Sequence, residues 1–361
     1  MQYRRLGNTG LIVSAISLGT MQFGQLYGLG RLNQEQTSEM IKFALDRGVN
    51  FLDTADVYNR GQSESQIGEA IKSFRKEIVV ATKARLPMSD TNFNHSGATR
   101  VNLMRELEAS LNRLQTDYID LYQIHGWDSN TPLEETLRTL NDMVRQGKVR
   151  YIGLSNYTAW QAAVALGMQK QLGLEPYVTA QMYYSLVGRD LEHDWMLFAE
   201  YTGMGILVWS PLAGGFLSGK YSRGQAPSAG TRFAEAGAFV PFDVEFGYRV
   251  LNVLKEVAHR HEVSPTRAAI AWTMSRPMIS SVIVAARQLE HLEDNILASD
   301  LKLTAEDFDA LDKVSTPGTP YPKWMVLQLD QAEDPRAMVL EPERFGNGGP
   351  WKDLRGRKFQ S

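Results

Sequence analysis

Polar residues whose chemistry suits proton transfer follow three short apolar runs. Asp53 and Tyr58 stand in FLDTADVY, Lys83 ends VVATK and His125 ends LYQIH. A phenol has a pKa of about 10, so it is a weak acid at neutral pH unless a nearby ammonium stabilises its phenolate. Lys83 would supply that charge, and Asp53 would hold Lys83 in place and keep it charged. His125 would then orient a carbonyl oxygen towards Tyr58.

Each of these residues also has a simpler interpretation when it is taken alone. Tyr58 would be a half-buried packing residue, and Lys83 would be a solvated cap at a strand end. His125 would be a core histidine with satisfied hydrogen bonds, and Asp53 would cap the following turn through backbone amides. Their occurrence together at successive strand ends favours the catalytic interpretation.

The elements that must position these residues alternate between strand and helix. Eight apolar runs rich in Val, Ile and Leu predict strands at residues 14–19, 50–54, 78–83, 118–125, 151–155, 178–183, 205–210 and 282–285. Segments of helical period predict helices at residues 34–47, 64–74, 98–114, 133–146, 159–170, 191–201, 246–261, 265–275 and 289–298. Eight such pairs predict an α/β fold of the (β/α)8 TIM barrel type, in which catalysis is located at the carboxyl ends of the strands.

The ends of the chain depart from this repeat. Residues 6–11 predict a short N-terminal hairpin before the first barrel strand. Residues 222–240 predict a long functional or mobile loop. Residues 316–361 are rich in proline and contain two tryptophans, which predicts an irregular C-terminal tail packed on the barrel. We therefore expect one domain over residues 1–315, followed by that tail.

Composition excludes several classes of function. The 361 residues carry a formal charge of −3, which does not favour nucleic acid as a partner. Cysteine is absent, which excludes disulfides, thiolate metal sites and cysteine nucleophiles and fits a cytoplasmic location. Neither a signal peptide nor a membrane-spanning run is expected, and the residues suggest no metal site. No GxGxxG motif opens a strand–turn–helix unit.

Ordered segments along most of the chain resemble the aldo-keto reductase superfamily. The segments are LGTMQFG at 18–24, FLDTADVY at 51–58, VVATK at 79–83, LYQIHGWD at 121–128, IGLSNY at 152–157, AQMYYSL at 180–186, WSPLAGGFLSGKY at 209–221 and VIVAARQLEHLEDN at 282–295. The resemblance implies a (β/α)8 barrel, NAD(P)H as the hydride carrier and carbonyl substrates. It also implies a catalytic tetrad of Asp53, Tyr58, Lys83 and His125, with Tyr58 as the general acid.

The same resemblance implies the residues that bind the cofactor. Ser155, Asn156 and Gln181 match positions that bind the nicotinamide carboxamide, and Thr20 also falls in the cofactor set. Trp209 matches the aromatic residue that stacks on the nicotinamide ring. The loop that covers the pyrophosphate would include Ser210, Leu212, Gly214 and Lys220. Taken by itself, SPLAGG is typical of an ordinary loop.

The last strand is followed by the residues expected at the adenosine end of the cofactor. Ala286 and Arg287 are predicted to begin a helix, whose free amides attract anions. Arg287 fits the adenosine 2′-phosphate and Asn295 fits the adenine, which favours NADPH while NADH stays possible. His291 replaces the usual Gln, and Val-Ala replaces the usual Pro-Gly before Ala286. Arg287 would otherwise be a surface arginine.

The strand-end loops supply the candidate substrate contacts. Met21, Phe23, Tyr27 and Trp127 suit an apolar or aromatic wall. Contacts to sugar hydroxyls would instead come from Asp128, from Asn92 and from His95, the last two within the loop at residues 85–96. Any of these side chains would otherwise be a loop residue without ligand contacts. The expected partner is therefore a small-molecule carbonyl compound or sugar, and the oligomeric state stays open.

The leading functional prediction is NADPH-dependent reduction of an aldehyde or ketone to an alcohol. One alternative is a nucleotide-sensing regulatory subunit of the channel-associated type, which the WSPLAGG segment also resembles. Another is a physiological sugar or alcohol dehydrogenase, because the tetrad works in both directions.

Overall fold

Eight parallel strands close into a barrel in the computed structural model, which describes residues 1–25, 31–221, 223 and 240–326. The barrel strands are β3 (Ile16–Gly19), β4 (Phe51–Asp53), β5 (Val79–Ala84), β6 (Ile119–Ile124), β7 (Val149–Ser155), β8 (Tyr177–Tyr183), β9 (Gly205–Trp209) and β10 (Ile279–Val284). They pair in chain order, and β10 closes the circle against β3. The predicted (β/α)8 barrel is confirmed.

Helices connect the strands around the outside of the barrel. The helices are α1 (Gln34–Asp46), α2 (Gln62–Ile71), α3 (Arg100–Leu114), α4 (Leu133–Arg145), α5 (Ala159–Leu172), α6 (Trp195–Thr202), α7 (Val244–Arg260), α8 (Pro265–Met274), α9 (Leu289–Leu297) and α10 (Ala305–Ser315). Their starts follow from local chemistry, because the Asn33, Thr99 and Ser264 side chains accept hydrogen bonds from first-turn amides. In the described ranges, no helix is long and apolar enough to cross a membrane.

A short antiparallel hairpin precedes the barrel, as predicted. It pairs β1 (Tyr3–Arg5) with β2 (Ile12–Ser14). The predicted first strand, residues 14–19, was wrong in one respect: Ser14 pairs with Tyr3 in the hairpin, so the barrel strand starts only at Ile16. The end of β2 and all of β3 are buried, so the sequence shows one apolar run where the structure has two strands.

Further differences lie in the helices and at the C-terminus. The helix predicted at residues 191–201 starts later, at Trp195, after a 3-10 turn. The final helix α10 was not predicted. Of the predicted loop at 222–240, residues 222 and 224–239 lie outside the described residues, as do residues 327–361 of the predicted tail. In the described part of the tail, Lys323 Nζ donates to the Glu192 carbonyl at 2.6 Å.

The hairpin closes the amino end of the barrel with apolar side chains. One buried cluster combines hairpin residues Leu6 and Val13 with inward-facing strand residues, among them Phe51, Val79 and Leu121. Glycine is required at position 7, since φ is +56° and a Cβ would lie 2.3 Å from the Val178 carbonyl oxygen. The opposite end of the barrel is left for polar side chains.

Candidate active site

The carboxyl ends of three neighbouring strands bring the predicted catalytic residues together. Asp53 is the last residue of β4, Lys83 is the next to last of β5, and His125 follows β6 directly. The parallel register pairs Asp53 with Ala81 and Lys83 with Gln123, so Lys83 and His125 each lie two residues beyond the partner of the preceding position. Tyr58 follows β4 in a 3-10 turn.

The distances among these side chains suit proton transfer. Lys83 Nζ donates to Asp53 Oδ2 at 2.7 Å and to the Thr54 carbonyl oxygen at 2.7 Å. The same nitrogen lies 5.2 Å from the centre of the Tyr58 ring. The rings of Tyr58 and His125 meet edge to face with their centres 5.9 Å apart. The fold therefore assembles a carboxylate, an ammonium, a phenol and an imidazole in one place.

The turn that directly follows Tyr58 in the chain has a left-handed backbone conformation, and the sequence analysis did not predict this turn. Asn59 and Arg60 both have φ of +49°, and Gly61 has φ of +88°. Asn tolerates this conformation better than most residues. The buried Asn59 Nδ2 donates to the Phe23 carbonyl oxygen at 2.6 Å, which ties the turn to the loop after β3. The Asn residue directly after Tyr58 was the sequence feature that could have indicated this left-handed turn.

Lys83 is fully buried and still charged. Burial alone would lower the pKa of Lys83, but the charges of Asp53 and Tyr58 and hydrogen bonds to both raise the pKa above its ordinary value. An ammonium without these partners would be costly at this depth. Asp53 therefore keeps a positive charge beside the Tyr58 phenol.

His125 is neutral at physiological pH. Burial, followed by the positive charges of Lys83 and Arg85, lowers the pKa of His125 to about 3. Its Nδ1 is buried and has no hydrogen-bond partner among the described residues. A neutral imidazole can donate one N–H without adding charge to the site.

Three of the predicted cofactor residues contact the tetrad or each other. Gln181 Nε2 donates to Asp53 Oδ1 at 2.7 Å, and Ser155 Oγ donates to the Gln181 carbonyl oxygen at 2.9 Å. Thr20 Oγ1 donates to the Asp53 carbonyl oxygen at 2.9 Å and is completely buried. Asp53 thus accepts hydrogen bonds from Gln181 on β8, from Lys83 on β5 and from Thr20, which follows β3.

Trp209 and Asn156 lie at the rim of the same end. Trp209 Nε1 donates to Asn156 Oδ1 at 3.1 Å, and the Trp209 ring lies 5.2 Å from the ring of Tyr183. Asn156 has φ of +54°, and its amide donates to the Gln181 carbonyl oxygen at 3.2 Å. An aromatic face and an amide side chain therefore lie beside Gln181.

The loop after β9 has a backbone suited to an anion. Residues with left-handed φ in this loop are Ser210, Ala213, Gly214 and Gly215. Ser210 Oγ accepts from the Gly214 amide at 2.9 Å. Leu212 precedes this turn and is half-buried, and Lys220 is exposed. Successive amides in such a turn form concave sites for anions such as a pyrophosphate.

Residues after the last strand are placed slightly differently from the prediction. Ala286 and Arg287 do not begin the helix, because α9 starts only at Leu289 and these two residues form the loop before it. Asn295 is buried within α9, and His291 on the same helix is exposed. The loop still brings Arg287 close to the amino end of α9.

The predicted substrate residues fall into different environments. Met21 and Trp127 are half-buried at the carboxyl end of the barrel. Phe23 belongs to the core with 1% of its surface exposed. Trp127 packs edge to face on Tyr157 at 5.1 Å and against exposed Trp160 at 6.0 Å between ring centres. Tyr27 lies outside the described residues.

The residues predicted for sugar hydroxyls mostly organise loops. His95 Nε2 lies 2.5 Å from Glu106 Oε1, which joins the loop after β5 to α3. Asp128 Oδ2 accepts from the Ala98 amide at 2.7 Å, and Asn92 is exposed. Over the described parts of the chain, no group of three or more His, Asp or Glu residues could hold a metal ion.

Comparison with known proteins gives a consistent result over most of the chain. The model of the Aldo/keto reductase family matches residues 15–316. The uncharacterized oxidoreductase YrpG of Bacillus subtilis is 35% identical over 87% of this chain and 96% of its own length. The versiconal hemiacetal acetate reductase of Aspergillus parasiticus is 30% identical over 89% and 99%. A probable voltage-gated potassium channel subunit beta of Oryza sativa is 35% identical over 87% and 96%.

Proposed function

Because this chain belongs to the aldo/keto reductase family, we propose that it reduces an aldehyde or ketone to an alcohol with NADPH, and that Tyr58 gives the proton. The observation that carries this proposal is the buried ammonium of Lys83, 2.7 Å from Asp53 Oδ2 and 5.2 Å from the Tyr58 ring centre. An ammonium in this position stabilises the phenolate that remains after proton donation.

The residues of the chain would divide the work in the following way. The Tyr58 phenol donates its proton to the carbonyl oxygen while Lys83 stabilises the negative charge that develops. His125, neutral because of its low pKa, offers an N–H to the same oxygen. Asp53 keeps Lys83 charged and in place.

The residues around the tetrad fit a nicotinamide dinucleotide. When bound, NADPH would supply the hydride for the carbonyl carbon. Trp209 presents a ring face for the nicotinamide, and Gln181, Ser155 and Asn156 lie beside it. The left-handed turn at residues 213–215 offers backbone amides for the pyrophosphate.

The preference for NADPH over NADH rests on Arg287. Its guanidinium would pair with the 2′-phosphate, a group that only NADPH carries. The loop position before α9 adds the favourable end of a helix dipole. NADH stays a possible second cofactor. A cytoplasmic location is part of the proposal and rests on the absence of cysteine.

The similarity to the Oryza sativa protein supports a second candidate function. That protein is a probable channel subunit beta, so this chain would bind the nucleotide and regulate a partner. The two candidates make different demands on the tetrad: only the reductase requires Tyr58 for its output.

A panel of aldehydes, ketones and sugars with NADPH or NADH tests the proposal. The absorbance of the reduced nicotinamide follows turnover, and the matching alcohols with the oxidised cofactors test the reverse direction. We expect carbonyl reduction that is faster with NADPH. Tight NADPH binding without turnover of any carbonyl compound would support the regulatory candidate, and efficient turnover only of alcohols would support the dehydrogenase.

A further inference from the structure

Arg85 stands directly beside the proposed catalytic histidine. It is the residue after β5, and the carbonyl oxygen of its neighbour Ala84 accepts from the His125 amide at 3.0 Å. The φ of Arg85 is +131°, a conformation that L-residues other than glycine rarely adopt. The Arg85 carbonyl oxygen accepts from the Gly97 amide at 2.8 Å, which closes the loop in between. The fold holds an arginine in an unfavourable backbone conformation at this edge of the site.

The Arg85 guanidinium has N–H donors that form no hydrogen bond with the described residues. Arg85 Nη2 donates to the Trp127 carbonyl oxygen at 3.0 Å, and Nε is buried without a partner among the described residues. A guanidinium carries five N–H donors. Within the part of the chain that the structure describes, no carboxylate lies within 4.0 Å of this group. Such a cation usually pairs with an anion when it is partly buried.

Asp128, the residue after Trp127, uses its carboxylate for other contacts than an ion pair with Arg85. Asp128 Oδ2 accepts from the Ala98 amide at 2.7 Å and from Thr131 Oγ1 at 2.6 Å. Asp128 Oδ1 accepts from the Asn130 amide at 3.0 Å. The carboxylate of Asp128 therefore organises its own loop. Against the effect of burial, the positive charge of Arg85 contributes, after the hydrogen bonds of that loop, to a lowered pKa of Asp128, but no contact within 4.0 Å pairs the two groups, so the N–H donors of Arg85 stay available.

The surroundings of Arg85 place its charge at the substrate end of the barrel. Its positive charge contributes, after burial and Lys83, to the lowered pKa of His125. Its hydrogen-bond acceptor, Trp127, belongs to an aromatic group with Tyr157 and Trp160. A molecule whose carbonyl oxygen meets His125 would therefore have a cation and aromatic rings nearby.

We propose that Arg85 is a specificity-determining residue that binds a carboxylate carried by the carbonyl substrate. The preferred substrates would be acidic aldehydes or ketones, with the carbonyl at Tyr58 and His125 and the carboxylate at Arg85. The planar guanidinium suits a carboxylate because it can donate two parallel hydrogen bonds. This inference rests on the proposed reductase function.

Paired aldehydes of the same shape but different charge test the inference. The 2-, 3- and 4-carboxybenzaldehydes are compared with their methyl esters, with NADPH at saturation. In the wild-type protein, we expect at least one acid to have kcat/KM about 10-fold or more above that of its ester, mainly through a lower KM. Arg85→Met should remove this preference by raising KM for the acid about 10-fold or more, with a much smaller change for the ester, which lacks the negative charge that Arg85 would bind. Arg85→Lys should restore part of it, since the charge is kept and the two-pronged geometry is lost.

A matched control comes from the amino end of the barrel. Arg150 also donates to a single backbone carbonyl oxygen, that of Gly147 at 2.7 Å, but it lies near the start of β7. Arg150→Met should therefore leave the acid-to-ester ratio unchanged. Turnover of the ester by each variant shows that the variant is folded and competent.

The possible contrary results are distinct. If the wild type has equal kcat/KM for acid and ester in all three pairs, the inference is overturned and the reductase proposal stays intact. Equal losses for acid and ester in Arg85→Met would show that Arg85 only supports Trp127, and would also overturn it. Absence of turnover for every carbonyl compound would overturn both, because the inference depends on reduction.

Discussion

The two ends of the barrel are built from the same strands and have opposite chemistry. On β5, Val79 belongs to the apolar cluster under the hairpin, and Lys83 is the buried ammonium at the other end. Leu121 on β6 and His125 directly after it repeat this arrangement. Inward-facing positions recur every second residue, so four residues separate apolar and polar chemistry by only about 13 Å. Position along the strand and residue class therefore change together: inward apolar side chains lie towards the amino end and inward polar side chains towards the carboxyl end.

The difference also has an energetic side. The apolar end gains free energy by removing hydrocarbon surface from water, whereas the polar end must compensate a buried ammonium. Asp53 Oδ2 accepts from Lys83, and Asp53 Oδ1 accepts from Gln181 Nε2. The polar end is therefore a coupled network, in which loss of one member affects the others. Changes at the two ends should separate activity from stability.

The largest effect is expected for Tyr58→Phe at the polar end. Removal of the hydroxyl takes away the proposed proton donor, and positioned acid catalysis contributes about 10²–10⁴-fold. We expect kcat for carbonyl reduction to fall by that factor, with the Kd for NADPH nearly unchanged. The free energy of unfolding should fall less than in a core truncation, because Asp53 and the Thr54 carbonyl oxygen still accept from Lys83. Near-wild-type kcat, with chemistry shown to limit the rate, would contradict the role of Tyr58.

Leu6→Ala at the apolar end should have the opposite signature. Leu6 is completely buried in the hairpin connection, and a Leu-to-Ala change in a core costs about 2–5 kcal/mol of the free energy of unfolding. Denaturant unfolding should show this loss, while kcat of the folded protein stays within about twofold of the wild type. Ile12→Ala is the matched control, since Ile12 lies in the same hairpin but is 46% exposed and should cost much less. A large fall in kcat for Leu6→Ala would mean that the two ends are coupled.

The same contrast explains what the sequence could and could not predict. The barrel followed from the alternation of apolar runs with helical segments, because strands buried on both faces leave a strong apolar signal. Strand ends then indicated Asp53, Lys83 and His125. The turn at Asn59 and the bond from Gln181 to Asp53 depend on contacts between residues distant in sequence and on backbone conformation, which local patterns do not encode. The φ of Arg85 was hidden for the same reason.

Lys83→Met tests the network of the polar end through pH. The change removes the ammonium while keeping a side chain of similar length, so we expect kcat to fall by about 10²-fold or more. In alcohol oxidation Tyr58 must act as a base, and its phenolate forms less readily without Lys83. The alkaline rise of oxidation should therefore shift to higher pH in Lys83→Met. Because the pKa of Lys83 is raised in the folded protein, the wild-type ammonium stays charged through neutral pH and is lost only as pH rises past that pKa.

The outcome at Lys83 can also contradict the proposal. A rise at the same pH in Lys83→Met and the wild type would show that Lys83 does not tune Tyr58. Lys83 would then be a structural residue whose charge serves only to satisfy Asp53, and the unfolding free energy would be the property most affected.

The smallest predicted effect lies at the rim of the polar end, where charge is closer to water. Arg287→Ala should raise the Kd for NADPH by about 10-fold, a typical size for loss of one charge-assisted contact. The Kd for NADH should change by less than about twofold, since NADH lacks the 2′-phosphate. Fluorescence titration of the reduced cofactors measures both constants, and the NADPH effect should shrink at high salt because exposed charges are screened. Equal weakening of both cofactors would assign Arg287 to the loop or to the pyrophosphate. Rim charges would then support the cofactor site without selecting between the two cofactors.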